Sequence, residues 1–120
     1  MQFLVVYTAE AHPEQPVTIV QDGHYVPMKL GTGDTFAERC RQALLCGSSL
    51  GLSMPIVVDG EDNAATTAYS AWPERVVIVD RAGSVAFMST GGNPSNVSFD
   101  DVDNWLWCYS THAPLPAPRQ

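Results

Sequence analysis

Two short stretches carry residue types suited to chemistry. In "FLVVYTAEAHP" a glutamate, Glu10, and a histidine, His12, sit two apart just past an apolar run. A histidine titrates near neutrality, so it can give or take a proton, and a nearby carboxylate can share that work. The plainer reading is an exposed loop histidine beside a solvated glutamate. In "AWPERVVIV" the step Trp72-Pro73 is followed by Glu74 and Arg75 at the mouth of an apolar strand. A guanidinium held there can bind a carboxylate, a phenolate or the face of a ring. The plainer reading is a surface ion pair between Glu74 and Arg75, which contributes little. Trp72 can stack on an aromatic ligand or simply belong to the core.

Other chemistries find less support. The three cysteines are Cys40, Cys46 and Cys108, with no Cys-x-x-Cys pair, so neither a disulfide framework nor a zinc knuckle is indicated. Cys40 and Cys46 fall in a helical stretch, about 240° apart around the axis, and do not pair. Arg39 and Arg41 flank Cys40 but project elsewhere. No cysteine stands at a helix N-terminus, so all three read as structural thiols. His12, His24 and His112 lack metal-ligand spacing. Asp59, Asp62 and Asn63 crowd together without the ladder of a calcium loop. Asp62 reads instead as a helix N-cap. No metal and no bound cofactor is expected.

The 120 residues make one domain with a net charge of −7, and no basic run exists to meet nucleic acid or an anionic membrane. No apolar run is long enough to span a bilayer. The N-terminus reads as a strand and not a signal peptide, which points to the cytoplasm.

The elements that must hold these residues follow from the pattern. A buried strand is expected over 2–9 and two short strands around Asp22-Gly23 over 17–26. The helix over 35–51 has a Thr35/Glu38 capping box, with Phe36, Cys40, Ala43 and Leu44 on one face. Strands follow over 55–59, 75–80 and 84–89, with a short helix over 63–71 between the first two. Residues 90–96 read as loop. The last helix covers 98–110, with Ser98 as N-cap, one of Trp105 and Trp107 in the core and the other exposed. A Pro-rich disordered tail is expected over 111–120, after a domain over 1–110. This is an α/β domain with a mixed sheet and flanking helices.

The closing β-β-α, entered through a proline, resembles the end of a thioredoxin-like fold. Three stretches sharpen the resemblance: "FLVVYTAEAHP" (3–13), "PIVVDGEDNAATTAYSAWPERVVIV" (55–79) and "NVSFDDVDNWL" (96–106). Together they resemble the iodothyronine deiodinases, selenoenzymes on that fold. The resemblance implies that Glu10 and His12 bind the substrate phenol and supply a proton. It implies that Arg75 and His12 clamp the iodinated ligand. It makes Pro73 the fold's usually cis proline, facing the nucleophile. The implied partners are a small aromatic, possibly halogenated substrate and a thiol reductant as co-substrate.

Two departures stand out. The family keeps a second histidine just before the helix at 35–51, where this chain has Gly33 within a longer loop; His24 is a candidate substitute. The family's selenocysteine or cysteine lies in a first β-α unit that would precede Met1. Without that central strand, the chain closes the gap by direct pairing, pairs with another copy as a homodimer, or is a piece of a longer protein. The last is the expectation. A frame broken at a selenocysteine codon would restart at the next start codon, and translating the upstream nucleotides checks this. A deiodinase-like oxidoreductase, inactive as this fragment, is therefore expected. The alternatives are a peroxiredoxin-like thiol oxidoreductase and a non-catalytic binding module.

Overall fold

A computed structural model describes residues 1–90 and 97–116. The loop expected over 90–96 lies outside the described residues apart from Thr90, as do residues 117–120 of the expected tail. The chain forms two compact units, Met1–Ala68 and Tyr69–Gln120.

The first unit holds β1 (Val5–Tyr7), β2 (Pro16–Gln21), β3 (His24–Lys29), α1 (Phe36–Leu50) and β4 (Ile56–Val58), with α2 (Ala64–Tyr69) at its end. The second holds β5 (Val77–Val79), β6 (Val85–Met88) and α3 (Phe99–Thr111). The α/β composition stands, but the single mixed sheet does not. The strands form three two-stranded sheets: β1 parallel to β4, β2 antiparallel to β3, and β5 antiparallel to β6. No described strand bridges the parallel ladder to the β5–β6 ladder, so the two remain separate.

The β2–β3 hairpin turns through Asp22 and Gly23, with φ of 50° and 77°. Two positive φ values make the primed turn whose twist suits adjoining strands. The ladder is longer than the sequence suggested and runs on to Pro16 opposite Lys29. Pro16 and Pro27 both fall at positions where the backbone nitrogen faces away from the partner strand. Each outer edge of the hairpin thus has a proline where an outward N–H would stand, and neither edge can fully template another strand.

Helix α1 starts as its sequence dictates. Thr35 and Glu38 form the capping box, and the Glu61 carboxylate accepts the Phe36 N–H at 2.6 Å. Gly51 closes the helix in the left-handed conformation. The helix packs against β2 and β4. Gly47 permits that approach, because a Cβ there would stand 2.6 Å from Ile56 Cδ1. The expected apolar face is fully buried only at Ala43. Phe36 and Leu44 are 49% and 72% exposed, whereas Arg39, Gln42 and Ala43 are buried. The inner face meets loops rich in backbone carbonyls, and donors are what those loops need.

Helix α2 is capped mainly by Asp59 and not, as expected, by Asp62. Asp62 accepts only the Ala64 N–H, while the Asp59 carboxylate accepts Ala65 N–H, Thr66 N–H and the Thr66 hydroxyl. Burial works against the Asp59 charge, but these hydrogen bonds outweigh it and hold the carboxyl below its usual range.

In the second unit, Trp105, Val97 and Cys108 are buried. Trp105 lies 6.3 Å from Phe87 and stacks on Tyr109 at 5.3 Å. Trp107 is 61% exposed, so the expected division between the two tryptophans holds. Ser98 accepts the Asp101 N–H and caps α3, as its sequence predicts.

Candidate functional site

Because β1 and β4 run parallel, the loops that follow them leave the same end of the ladder, where open α/β sheets place ligands. The hydrogen bond from Asp59 N–H to the Tyr7 carbonyl, at 2.8 Å, closes the ladder there. Three residues past Tyr7, Glu10 is gripped from both sides. Tyr7 Oη donates to its Oε2 at 3.3 Å, and the His12 backbone N–H donates to its Oε1 at 3.2 Å. The sequence pair Glu10/His12 is therefore a structural pair, joined through the histidine's backbone. The His12 imidazole is exposed and makes no hydrogen bond among the described residues.

Tyr7 is the residue that sequence reasoning missed. Burial, then the Glu10 charge and its hydrogen bond, push the phenol far above its usual pKa. The hydroxyl thus stays protonated and remains a donor to Glu10. Burial and the Glu10 charge also raise the Cys46 thiol, so Cys46 is not an activated nucleophile.

A folded-state pKa above the unfolded value, about 10 for tyrosine, gives stability that is complete below pH 10 and lost as pH rises beyond it. Tyr7→Phe is expected to cost about 0.5–1 kcal/mol at pH 7. It should also shrink the stability lost between about pH 10 and pH 11.5. Urea unfolding across that range, with the tyrosinate absorbance followed in parallel, measures both. An alkaline loss equal in the two proteins would show that folding, through burial and Glu10, does not raise the Tyr7 phenol.

Two buried side chains of α1 fix the neighbouring loops. Arg39 is 3% exposed. Its Nε donates to the Gly33 carbonyl at 3.2 Å, and its Nη1 to Asp59 O, Gly60 O and Asn63 Oδ1 at 3.2, 2.6 and 3.1 Å. The sequence placed Arg39 only as projecting away from Cys40; the structure makes it the clasp of the loop after β4. Gln42 donates to the Leu30 and Gly31 carbonyls, and its Oε1 is buried without a partner among the described residues. Gly33 has φ +69°, and a Cβ on it would overlap that Gln42 oxygen. The position that the resemblance would fill with a histidine therefore takes a side chain only if the Gln42 amide moves, and on a strained backbone. His24 is exposed beside the hairpin turn, opposite Gln21, with no hydrogen bond to Glu10 or His12.

The second group of candidates is contiguous. The Trp72–Pro73 peptide is cis. Trp72 is 51% exposed, which removes the core reading. Glu74 is exposed and forms no ion pair with Arg75; the only ion pair among the described residues joins Lys29 to Glu14. Arg75 is half-buried, and its Nη1 donates to Met88 Sδ at 2.8 Å. Ser89 fixes this corner: its Oγ accepts the Val76 N–H and its own N–H reaches the Val76 carbonyl, both at 2.9 Å. Val77 lies opposite Met88, and Arg75, two residues earlier on the same face, reaches Met88 diagonally. Glu10 and His12 belong to the first unit and Trp72–Arg75 to the second.

Among the described residues no group of three or more His, Cys, Asp or Glu side chains is placed to hold a metal ion. No described helix is long and apolar enough to cross a membrane.

Comparison with known proteins agrees with the resemblance. A model of the family "Iodothyronine deiodinase" matches residues 1–110. Human type II iodothyronine deiodinase is 34% identical over 106 residues, covering 87% of this chain and 38% of the relative. Thyroxine 5-deiodinase of Sparus aurata is 32% identical over 111 residues, covering 89% and 38%. The Bos taurus thyroxine 5-deiodinase is 25% identical over 120 residues, covering all of this chain and 38% of its own length. The chain thus spans about two-fifths of the length of these relatives. No solved structure gives a significant match.

Proposed function

Since this chain belongs to the iodothyronine deiodinase family, we propose that it carries the proton-supplying and ligand-binding residues of an enzyme that removes iodide reductively from an aromatic ring. The balanced reaction takes an aryl iodide and two thiols to the arene, a disulfide and hydrogen iodide. The C–I bond breaks and a C–H bond forms. The thiol reductant supplies two electrons, and a protein group delivers the proton that ends on the ring.

The observation that carries this reading is the grip on Glu10. A carboxylate held by Tyr7 Oη on one oxygen and by the His12 N–H on the other is fixed in place to relay a proton, which it must first take up before passing it to the ring. In this reading Glu10 supplies the proton, His12 binds the substrate phenol, and Trp72 and Arg75 bind the ring and the ligand's anionic group. The nucleophile is a selenol or thiol outside these residues. Cys46 is disfavoured by its raised pKa, and Cys108 is buried within α3. The β1–β4 ladder is taken as part of a larger thioredoxin-like layer. The exposure of Val6 and Val57, which share one face of this parallel pair, supports a cover that the described residues lack, because parallel sheets are ordinarily covered on both faces.

The test is iodide release from an iodothyronine by a chain extended upstream of Met1 with a segment bearing the nucleophile, with dithiothreitol as reductant, against the 120-residue chain alone. Iodide release by the extended chain only is the expected result. Peroxide reduction without iodide release would replace the reading with a peroxiredoxin-like one, and ligand binding without turnover would reduce it to a binding module.

A further inference from the structure

Arg75 is held in an unusual way. Its one hydrogen-bond partner among the described residues is the Met88 thioether, and its Nε is buried with no partner there. The same unit carries Glu74, Asp80, Asp100, Asp101 and Asp103, yet none of these carboxylates pairs with it. A thioether is among the weakest acceptors a protein offers and carries no charge. The contact therefore sets the direction of the guanidinium without neutralising it. A buried N–H left without an acceptor costs free energy and asks for an explanation.

A resting place that a ligand empties supplies that explanation. We propose that Met88 is a positioning residue that parks the Arg75 guanidinium against β6, from which an anionic group on the ligand draws it. The weak acceptor and the orphaned Nε keep the parked state shallow. A carboxylate or phenolate offers the full charge-assisted partner that Met88 withholds. Met88 is itself 38% exposed at the end of β6, so the contact lies at the surface of its unit and not deep within it. The proposal rests on the reading of Arg75 as a ligand-binding residue, and one arm of the test separates the two.

The parked state gives opposite signs for two substitutions of similar size. Met88→Leu removes the acceptor and should tighten 4-iodobenzoate binding by about two- to five-fold. Met88→Gln supplies a stronger neutral acceptor and should weaken it by about three- to ten-fold. Neither should move the affinity for neutral 4-iodobenzamide, which offers no charge to draw the guanidinium. A second readout needs no ligand site. Phenylglyoxal, which condenses with guanidinium groups, should modify Arg75 faster in the Leu variant and slower in the Gln variant, scored by peptide mass.

Both substitutions moving either readout in the same direction, or leaving both readouts unmoved, would overturn the parking. So would equal effects on the acid and the amide, the mark of a purely structural role. Unchanged 4-iodobenzoate binding in Arg75→Gln would defeat the reading of Arg75 as a ligand residue, while the order of phenylglyoxal rates would still decide whether Met88 parks it.

Discussion

Arg39→Met is expected to destabilise the protein by about 3–5 kcal/mol, the largest stability effect of any single substitution considered for this chain. Methionine keeps most of the stem and its packing but removes every donor. Four acceptors then lose the guanidinium at once: the carbonyls of Gly33 and Asp59 and Asn63 Oδ1 are orphaned, while the Gly60 carbonyl keeps the Asn63 N–H. Each orphaned buried acceptor costs on the order of 1 kcal/mol, and their shared loop geometry makes the losses cooperative. The loop after β4 also carries Asp59, whose carboxylate caps α2, so that helix should fray with the loop. Urea unfolding should show a midpoint lowered by about 2 M. Arg39→Lys should fall between the two, because one ammonium cannot serve both the Gly33 and the Gly60 sides. A methionine variant as stable as the parent would mean that water satisfies those carbonyls equally well.

On the proposed deiodination, Glu10→Gln in a chain extended to carry the nucleophile is expected to lower the rate of iodide release by about 10²–10³-fold, with the affinity for the iodinated ligand changed by less than about three-fold. The amide oxygen can still accept one of the two hydrogen bonds, from Tyr7 or from the His12 N–H, so the loop keeps much of its shape. What it loses is a group that can carry a proton. Steady-state kinetics with separate binding measurements resolve the two quantities. A variant within ten-fold of the parent rate would remove Glu10 as the proton source, and a parallel fall in affinity would make its role one of binding.

The devices legible in the sequence were local ones. Thr35 and Glu38 are three apart and complete a capping box with only their own backbone. Asp22-Gly23 sets a turn by its two positive φ values, and Ser98 caps α3 through the Asp101 N–H. What escaped depends on partners distant along the chain. A helical pattern counts arginine and glutamine as surface residues and gives no reason to bury Arg39 or Gln42. Their burial follows from the carbonyls of loops 30–33 and 59–60, which no periodicity announces. A charge-based reading paired Arg75 with Glu74. Neighbours in an extended chain point to opposite sides, and the partner that shares a face with Arg75 is Met88, thirteen positions on. The strand expected over 2–9 shrinks to Val5–Tyr7, because its ladder reaches only as far as β4. In the candidate site, the spacing of Glu10 and His12 was visible. The Tyr7 contact was not, since it depends on the direction the chain takes after leaving β1.

Gly33 and Gln42 also constrain how this sequence can drift. The backbone at 33 is left-handed, and the space its side chain would need is filled by the amide of Gln42. A lineage that gains a side chain at 33 must displace the Gln42 amide or shorten residue 42, and must carry a strained backbone in either case. The two positions, nine apart, are therefore coupled. A relative that bears a histidine at the position of Gly33 is expected to bear a small residue at that of Gln42, and to have found another donor for the carbonyls that Gln42 serves here.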